Sequence, residues 1–257
     1  MDMRYIVEKL SWISNNIQQA KYRLKYGQFV PYNKIYEQYN LKRVLAYLDV
    51  DCVFDVGANA GQYAKMLRKH AGFTGRIISF EPIPWLAEKI RMEAAGDGLW
   101  EVEETALASE AGEGYFNVMA SDQFSSLGTP IHNETPRFVT QNIMERQIRV
   151  RKEPLESAYK RLKNKYGFER PFLKMDTQGF DVMILKSGQA IAEYFVGLQS
   201  ELSIKRIYKE SVDFRDAISF YNELGFELTA FVPNNSAHFP QLIETDCIMI
   251  RSDLIEK

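Results

Sequence analysis

The sequence predicts an α/β fold with a mostly parallel sheet, and three observations predict it. Short apolar runs of strand length alternate with stretches of helical periodicity. The first run, Cys52 to Val56, breaks into Gly57-Ala58-Asn59-Ala60-Gly61 and then turns helical, with Tyr63, Met66 and Leu67 about one turn apart. The last two runs, Phe226 to Val232 and Asp246 to Arg251, are joined by a loop without helical periodicity, which suggests an antiparallel pair at the sheet edge.

The 257 residues suit one α/β domain with an added subdomain, and a hydrophobic content of 46% suffices for a full core. A net charge of -2 and a pI near 6.0 argue against a surface built for nucleic acid. Cys52 and Cys247 both fall in apolar runs and imply no disulfide framework, so a reducing, cytoplasmic setting is expected. The first ten residues already hold four charges, unlike a signal peptide, and no apolar run is long enough to span a membrane.

Residues 1 to about 50 are aromatic and mixed in charge. Ile6, Leu10, Ile13 and Ile17 recur at helical spacing, Gly27 and Pro31 interrupt, and Ile35 to Leu48 forms a second amphipathic helix. The segment is expected to cap the sheet edge or mouth; acceptor recognition and homodimer contact are the alternatives. Lys65 to His70 completes the first helix of the sheet unit. Arg76 to Phe80 is the next strand, Trp85 to Met92 a helix, and Trp100 to Ala108 a third strand. Tyr115 to Met119 and Gln147 to Val150 are short β-segments around an irregular polar stretch, Ser121 to Thr140. Leu155 to Tyr166 is helical, Pro171 to Met175 a strand, and Asp181 to Leu185 and Ala190 to Tyr194 helical. Phe195 to Leu202 is a strand, and Phe214 to Leu224 a helix closed by Gly225.

In such sheets ligands lie beyond the carboxyl ends of the strands, so the residues that close each strand carry the chemistry. The glycines let backbone approach a ligand, and the helix start offers free N–H groups. Glu81 follows the second strand about 20–26 residues past the glycine turn, where an acid accepts two hydrogen bonds from a ribose diol. Pro82 and Ile83 would present a flat apolar wall to an adenine. Asn59 breaks the G-x-G-x-x-G spacing, and Asp55 adds a carboxylate that would repel a pyrophosphate. A cationic ligand, S-adenosyl-L-methionine, fits that electrostatic contrast better than a dinucleotide. Asp176 leaves the strand Pro171 to Met175 at the sheet's mouth, either beside the sulfonium or as general base, with an N-cap role as the bland alternative. Gln178 shares its turn and is counted with it, and Glu201 closes the next strand, holding the acceptor or balancing Lys174. His132, His238 and His70 are weaker candidates. No zinc-ligand spacing, G-x-S-x-G or P-loop lysine is present. The basic run Arg146, Arg149, Arg151, Lys152 reads as a solvated face or, alternatively, as a grip on an anionic acceptor.

FDVGANAGQYAKML (54–67), ISFEPIPWLAEKI (78–90), LWEVEETALASEAG (99–112) and LKMDTQGFDVMILKSGQ (173–189) together resemble the FkbM family of S-adenosyl-L-methionine-dependent methyltransferases. The likeness covers roughly residues 40–252. It implies a seven-stranded Rossmann-like class I methyltransferase sheet with its last strand antiparallel, and O-methylation of a sugar, polysaccharide or secondary-metabolite hydroxyl. It also implies that Asp55, Gly57, Asn59 and Gly61 line the methionine part of the cofactor, Glu81 takes the ribose diol, Ala106 and Leu107 flank the adenine, and Asp176 sits near the transferred methyl. Ala58, Tyr63, Pro82 and Ile83 complete the expected cofactor set; Asp176, Gln178 and Glu201 form the expected catalytic set, without metal. Asp181 departs from the family, which more often has Glu there. The expected organisation is a helical cap over residues 1–48 and a methyltransferase domain over 49–257, acting on a small-molecule or glycan acceptor. A nicotinamide-dependent oxidoreductase and a non-catalytic binding module are the alternatives.

Overall fold

A computed structural model describes residues 32–131, 138, 140–233 and 240–255. The helix expected between Ile6 and Ile17, the break at Gly27 and Pro31, and the loop histidines His132 and His238 lie outside the described residues. The described chain begins with α1 (Tyr32–Tyr47) and then runs β1 (Cys52–Val56), α2 (Gln62–Met66), β2 (Arg76–Phe80), α3 (Pro84–Ala94), β3 (Trp100–Glu103), β4 (Ala106–Leu107), β5 (Gly112–Met119) and β6 (Met144–Glu153). It closes with α4 (Leu155–Tyr166), β7 (Pro171–Met175), α5 (Asp181–Lys186), β8 (Gly197–Ser203), α6 (Phe214–Glu223), β9 (Phe226–Pro233) and β10 (Glu244–Arg251).

Seven strands form one sheet in the order β3-β2-β1-β7-β8-β10-β9. The pairs β1–β2, β1–β7, β2–β3 and β7–β8 are parallel, and β10 runs antiparallel between β8 and β9. β1 and β7 are buried at every position, which is why they read as unbroken apolar runs. Each sheet face carries its own core. Leu41, Val44, Leu45 and Leu48 of α1 and its end pack with α2, α3, Val53, Phe172 and Ile248 on one face. On the other, α4, α5 and α6 pack around Phe54, whose ring stacks on Phe80 at 5.6 Å and meets Phe168 and Phe195 edge-on at 5.5 Å.

Three local expectations are corrected. Trp100 to Ala108 is not one strand: β3 stays in the large sheet, while β4 joins β5 and β6 in a separate three-stranded sheet, order β4-β6-β5. The chain breaks because Thr105 N turns back onto Glu103 O at 2.9 Å while Arg151 Nε donates to Thr105 Oγ1 at 2.7 Å. β5 and β6 are longer than their apolar residues suggest. Charged side chains extend the pairing, Arg149 meeting Glu113 and Lys152 meeting Glu110 across or beside the hairpin. The first helix also changes character, since α2 gives way to a π-helical turn, Leu67–Ala71, that holds His70 and ends at Gly72. No helix among the described residues is long and apolar enough to cross a membrane.

Candidate active site

The chain leaves β1 at the point where β2 lies on one side and β7 on the other, so the strand ends open a crevice there. Gly57 adopts φ +75°, and a Cβ on it would lie 2.0 Å from the Asp176 carbonyl oxygen. Only glycine lets the two strand ends approach this closely. Gly57 N and Ala58 N both donate to Phe80 O at 3.1 Å. Asn59 stands at φ 49°, a conformation Asn tolerates better than most residues, and its Oδ1 accepts from Ala60 N at 2.8 Å.

Glu81 follows β2 directly and is buried. Its Oε2 accepts from Asn59 N at 2.8 Å and its Oε1 from Ile83 N at 2.9 Å. Burial pushes its pKa up to about 7, against the pull of those two N–H groups and Lys174. Beside it Ile83, Ala106 and Phe116 pack into a small apolar cluster that also holds Ala60.

Beyond β7 the turn 176–179 is held from beneath. Gln178 at φ 56° and Gly179 at φ 94° reverse the chain. Gln178 Nε2 donates to Glu201 Oε2 at 2.8 Å and to Asp176 Oδ1 at 3.3 Å, which brings all three expected catalytic residues together. Asp181, buried at the start of α5, ties the turn to β8: its Oδ1 accepts from Thr177 N (3.0 Å) and Thr177 Oγ1 (2.6 Å), its Oδ2 from Ser200 Oγ and Glu201 N (both 2.9 Å). α5 has no side-chain cap, so Asp176 does not serve as its N-cap.

Next to Glu201 the wall is crowded with acids that sequence reading missed. Gln199 Nε2 donates to Glu37 Oε1 at 3.0 Å and Asp246 Oδ2 at 3.2 Å, while its Oε1 accepts from Tyr63 OH at 2.9 Å. Lys34 pairs with the other Glu37 oxygen at 3.2 Å. Burial, then the carboxylates Asp176, Glu244 and Asp246, holds Glu201 well above the ordinary range. Burial, with Asp176 and Asp181, pushes Glu244 up to about 8. Asp246 is raised by burial and by Glu37. The available signal was the period of two on β8, which puts Gln199 on the same face as Glu201. No local pattern announces Glu37, Glu244 or Phe116.

These groups line one cavity of about 950 Å³. Gly57, Ala58, Asn59, Tyr63, Glu81, Pro82, Ile83, Ala106, Leu107, Asp176, Gln178 and Glu201 all face it. Asp55 and Gly61 do not. Asp55 is fully buried beneath the floor, accepting from Ser79 Oγ at 3.1 Å and paired with Lys174 Nζ at 3.0 Å. Its charge is neutralised and adds nothing to a bare acidic strand end; the partner of Lys174 is Asp55 and not Glu201. Gly61 is the left-handed N-cap of α2, packed under the Trp100 ring. Arg146 lies over Trp85, and Arg149 and Lys152 are ion-paired, on the small sheet. Among the described residues no group of His, Cys, Asp or Glu is arranged to hold a metal ion.

The family described as the Methyltransferase FkbM domain matches residues 55–228, from the buried floor acid to β9. The chain belongs to the FkbM methyltransferase family. S-adenosyl-L-methionine is the methyl donor of this family. No curated protein matches the FkbM chain. Among solved structures it is similar to methyltransferase FkbM from Methylobacillus flagellatus KT, with 15% identity and a TM-score of 0.45 over 79% of this chain and 44% of that one. This chain thus spans less than half the length of that protein. It is also similar to Aeropyrum pernix fibrillarin in complex with natively bound S-adenosyl-L-methionine (11% identity, TM-score 0.43, 82% and 76% covered). The N-methyltransferase NodS from Bradyrhizobium japonicum WM9 gives 9% identity and a TM-score of 0.45, with 84% and 94% covered.

Proposed function

We propose that this chain transfers the methyl group of S-adenosyl-L-methionine to a hydroxyl of a small-molecule or glycan acceptor. The observation that carries the reading is the arrangement about β1. On one side Glu81 is fixed by two backbone N–H groups beside an apolar cluster, and on the other Gln178 bridges Asp176 and Glu201. The cavity is of ligand size, within the ~300–1,000 Å³ usual for such sites. Gly57, where a Cβ would meet the Asp176 carbonyl oxygen, lets the two strand ends that border the cavity lie side by side.

In this reading Glu81 uses its remaining lone pairs to accept from both ribose hydroxyls. Pro82, Ile83, Ala106, Leu107 and the Phe116 ring enclose the adenine. Gly57, Ala58, Asn59 and Tyr63 border the methionine part. The bound cofactor supplies an electrophilic methyl on a sulfonium. Asp176 takes the proton of the acceptor hydroxyl, since a neutral hydroxyl attacks poorly. Glu201, whose pKa burial and the neighbouring carboxylates hold well above the ordinary range, keeps Gln178 and the acceptor in place. Enclosure of the reacting groups contributes alignment and exclusion of water.

The test is calorimetric titration with S-adenosylhomocysteine. Glu81→Ala should weaken binding by about tenfold or more, roughly 1.4 kcal/mol. Unchanged affinity would remove the assignment of the donor site. A non-catalytic module would bind the donor and methylate nothing across a broad panel of hydroxyl acceptors.

A further inference from the structure

Lys174 is the buried charge that the proposed chemistry leaves without a task. It sits in the fully buried strand β7 and points under the cavity, toward β1. Its ammonium has three protons and three acceptors at hand: Asp55 Oδ1 at 3.0 Å, Gly57 O at 3.1 Å and Val56 O at 3.3 Å. One of the three, Gly57 O, is a carbonyl of the glycine turn, and Val56 O closes β1 immediately before it, where it also accepts from Asp176 N at 3.1 Å. Asp55 is in turn held by Ser79 Oγ, which accepts from Trp100 Nε1 at 3.0 Å. A continuous polar row thus ties β3, β2, β1 and β7 together beneath the turn. Across the cavity floor the Lys174 Nζ stands 5.2 Å from the Tyr63 ring centroid and 4.0 Å from Asp176 Oδ2.

A buried ion pair is a poor source of stability, because desolvating two charges offsets most of their attraction. Two well-packed neutral side chains would serve the core as well. They would not reach up and hold the carbonyls at the junction of β1 and the turn, Val56 O and Gly57 O. Burial alone would lower the Lys174 pKa, but Asp55 and Asp176 outweigh it and keep the group charged.

We propose that Lys174 is a positioning residue for the methyl donor: by clamping Val56 O and Gly57 O it fixes the turn that borders the donor's amino-acid half. The proposal rests on the donor-site reading above. It makes the turn's geometry depend on a side chain from the neighbouring strand, and it separates the donor's two halves. The adenosine half depends on Glu81, and the amino-acid half on Lys174.

The test compares two ligands, S-adenosylhomocysteine and methylthioadenosine, the second lacking the amino-acid half. Lys174→Met alone strands the Asp55 charge and is expected to unfold readily. The neutral double variant Asp55→Asn with Lys174→Met keeps the volume and the Ser79 hydrogen bond. It should melt within about 4 °C of the parent. It should bind S-adenosylhomocysteine about tenfold more weakly or worse, and methylthioadenosine within about threefold of the parent. Equal affinity for both ligands, or an equal loss for both, would overturn the proposal. So would a double variant that fails to fold, since Lys174 would then be a fold residue. Glu81→Ala measured alongside should weaken both ligands. If it weakens neither, the donor-site reading fails before the role of Lys174 is reached.

Discussion

The two halves of the cavity are built in different ways. On the Glu81 side the polar groups come from two short segments, residues 57–63 and 81–83, against an apolar wall of Ala106, Leu107 and Phe116, and backbone N–H groups hold the key carboxylate. On the Asp176 side the groups come from α1, β7, β8 and β10, and side chains hold one another: Gln178 bridges two acids, Gln199 two more. The first half is local and rigid, as suits a ligand that is always the same. The second is a crowd of carboxylates assembled over long sequence distances, in which burial raises the pKa values of Glu201, Glu244 and Asp246. In the proposed reading the first half holds the donor and the second meets the acceptor, with Tyr63 OH joining them through Gln199 Oε1 at 2.9 Å.

The difference is breakable, and the largest effect belongs to the junction. Gly57→Ala forces a side chain into a left-handed backbone and against Asp176 O. It should cost about 3 kcal/mol of stability and abolish detectable S-adenosylhomocysteine binding, read by thermal melting and calorimetry. Asp176→Asn, on the acceptor side alone, should cut turnover by about a hundredfold while donor affinity stays within about threefold. Wild-type turnover in that variant would remove Asp176 from the chemistry.

Proton linkage sharpens the contrast further. In the proposed reading the ribose hydroxyls donate to the charged form of Glu81, whose pKa burial raises to about 7. Binding therefore favours deprotonation, and S-adenosylhomocysteine affinity should rise by severalfold between about pH 6 and 8. Glu81→Gln should flatten that rise. On the acceptor side the sign applies to folding. Glu244, with an ordinary value of 4.5, is raised to about 8 in the fold. The folded chain keeps a proton that the unfolded chain releases, so this contribution is complete below pH 4.5 and is lost as pH rises through 8. Glu244→Gln should raise Tm at pH 8 by about 2 °C and change little at pH 4. The smallest effect should come from Arg149→Ala. That pair with Glu113 is exposed, and its loss should shift stability by under about 0.5 kcal/mol.

The same contrast explains what could be read in the sequence. Gly57, Glu81 and Asp176 each close an apolar strand, and strand closure is a local pattern, so their place at the cavity was legible. Asp55 was misplaced because β1 is covered on both faces, and an apolar run does not say which neighbour a polar side chain within it will meet. Glu37, Glu244 and Asp246 reach the cavity through the packing of α1 and the insertion of β10 between β8 and β9, which no local pattern records. The small sheet escaped for the same reason. β6 is mostly exposed and charged, so its pairing with β5 is written in salt bridges more than in apolar alternation.

The most direct test of a donor half built on Glu81 and an acceptor half built on Asp176 is a crystal structure with S-adenosylhomocysteine bound. Both ribose hydroxyls should lie within about 3 Å of the Glu81 carboxylate. The sulfur should face the space between Asp176 and Glu201. A ligand whose ribose meets other groups, or whose sulfur points away from Asp176, would contradict the account.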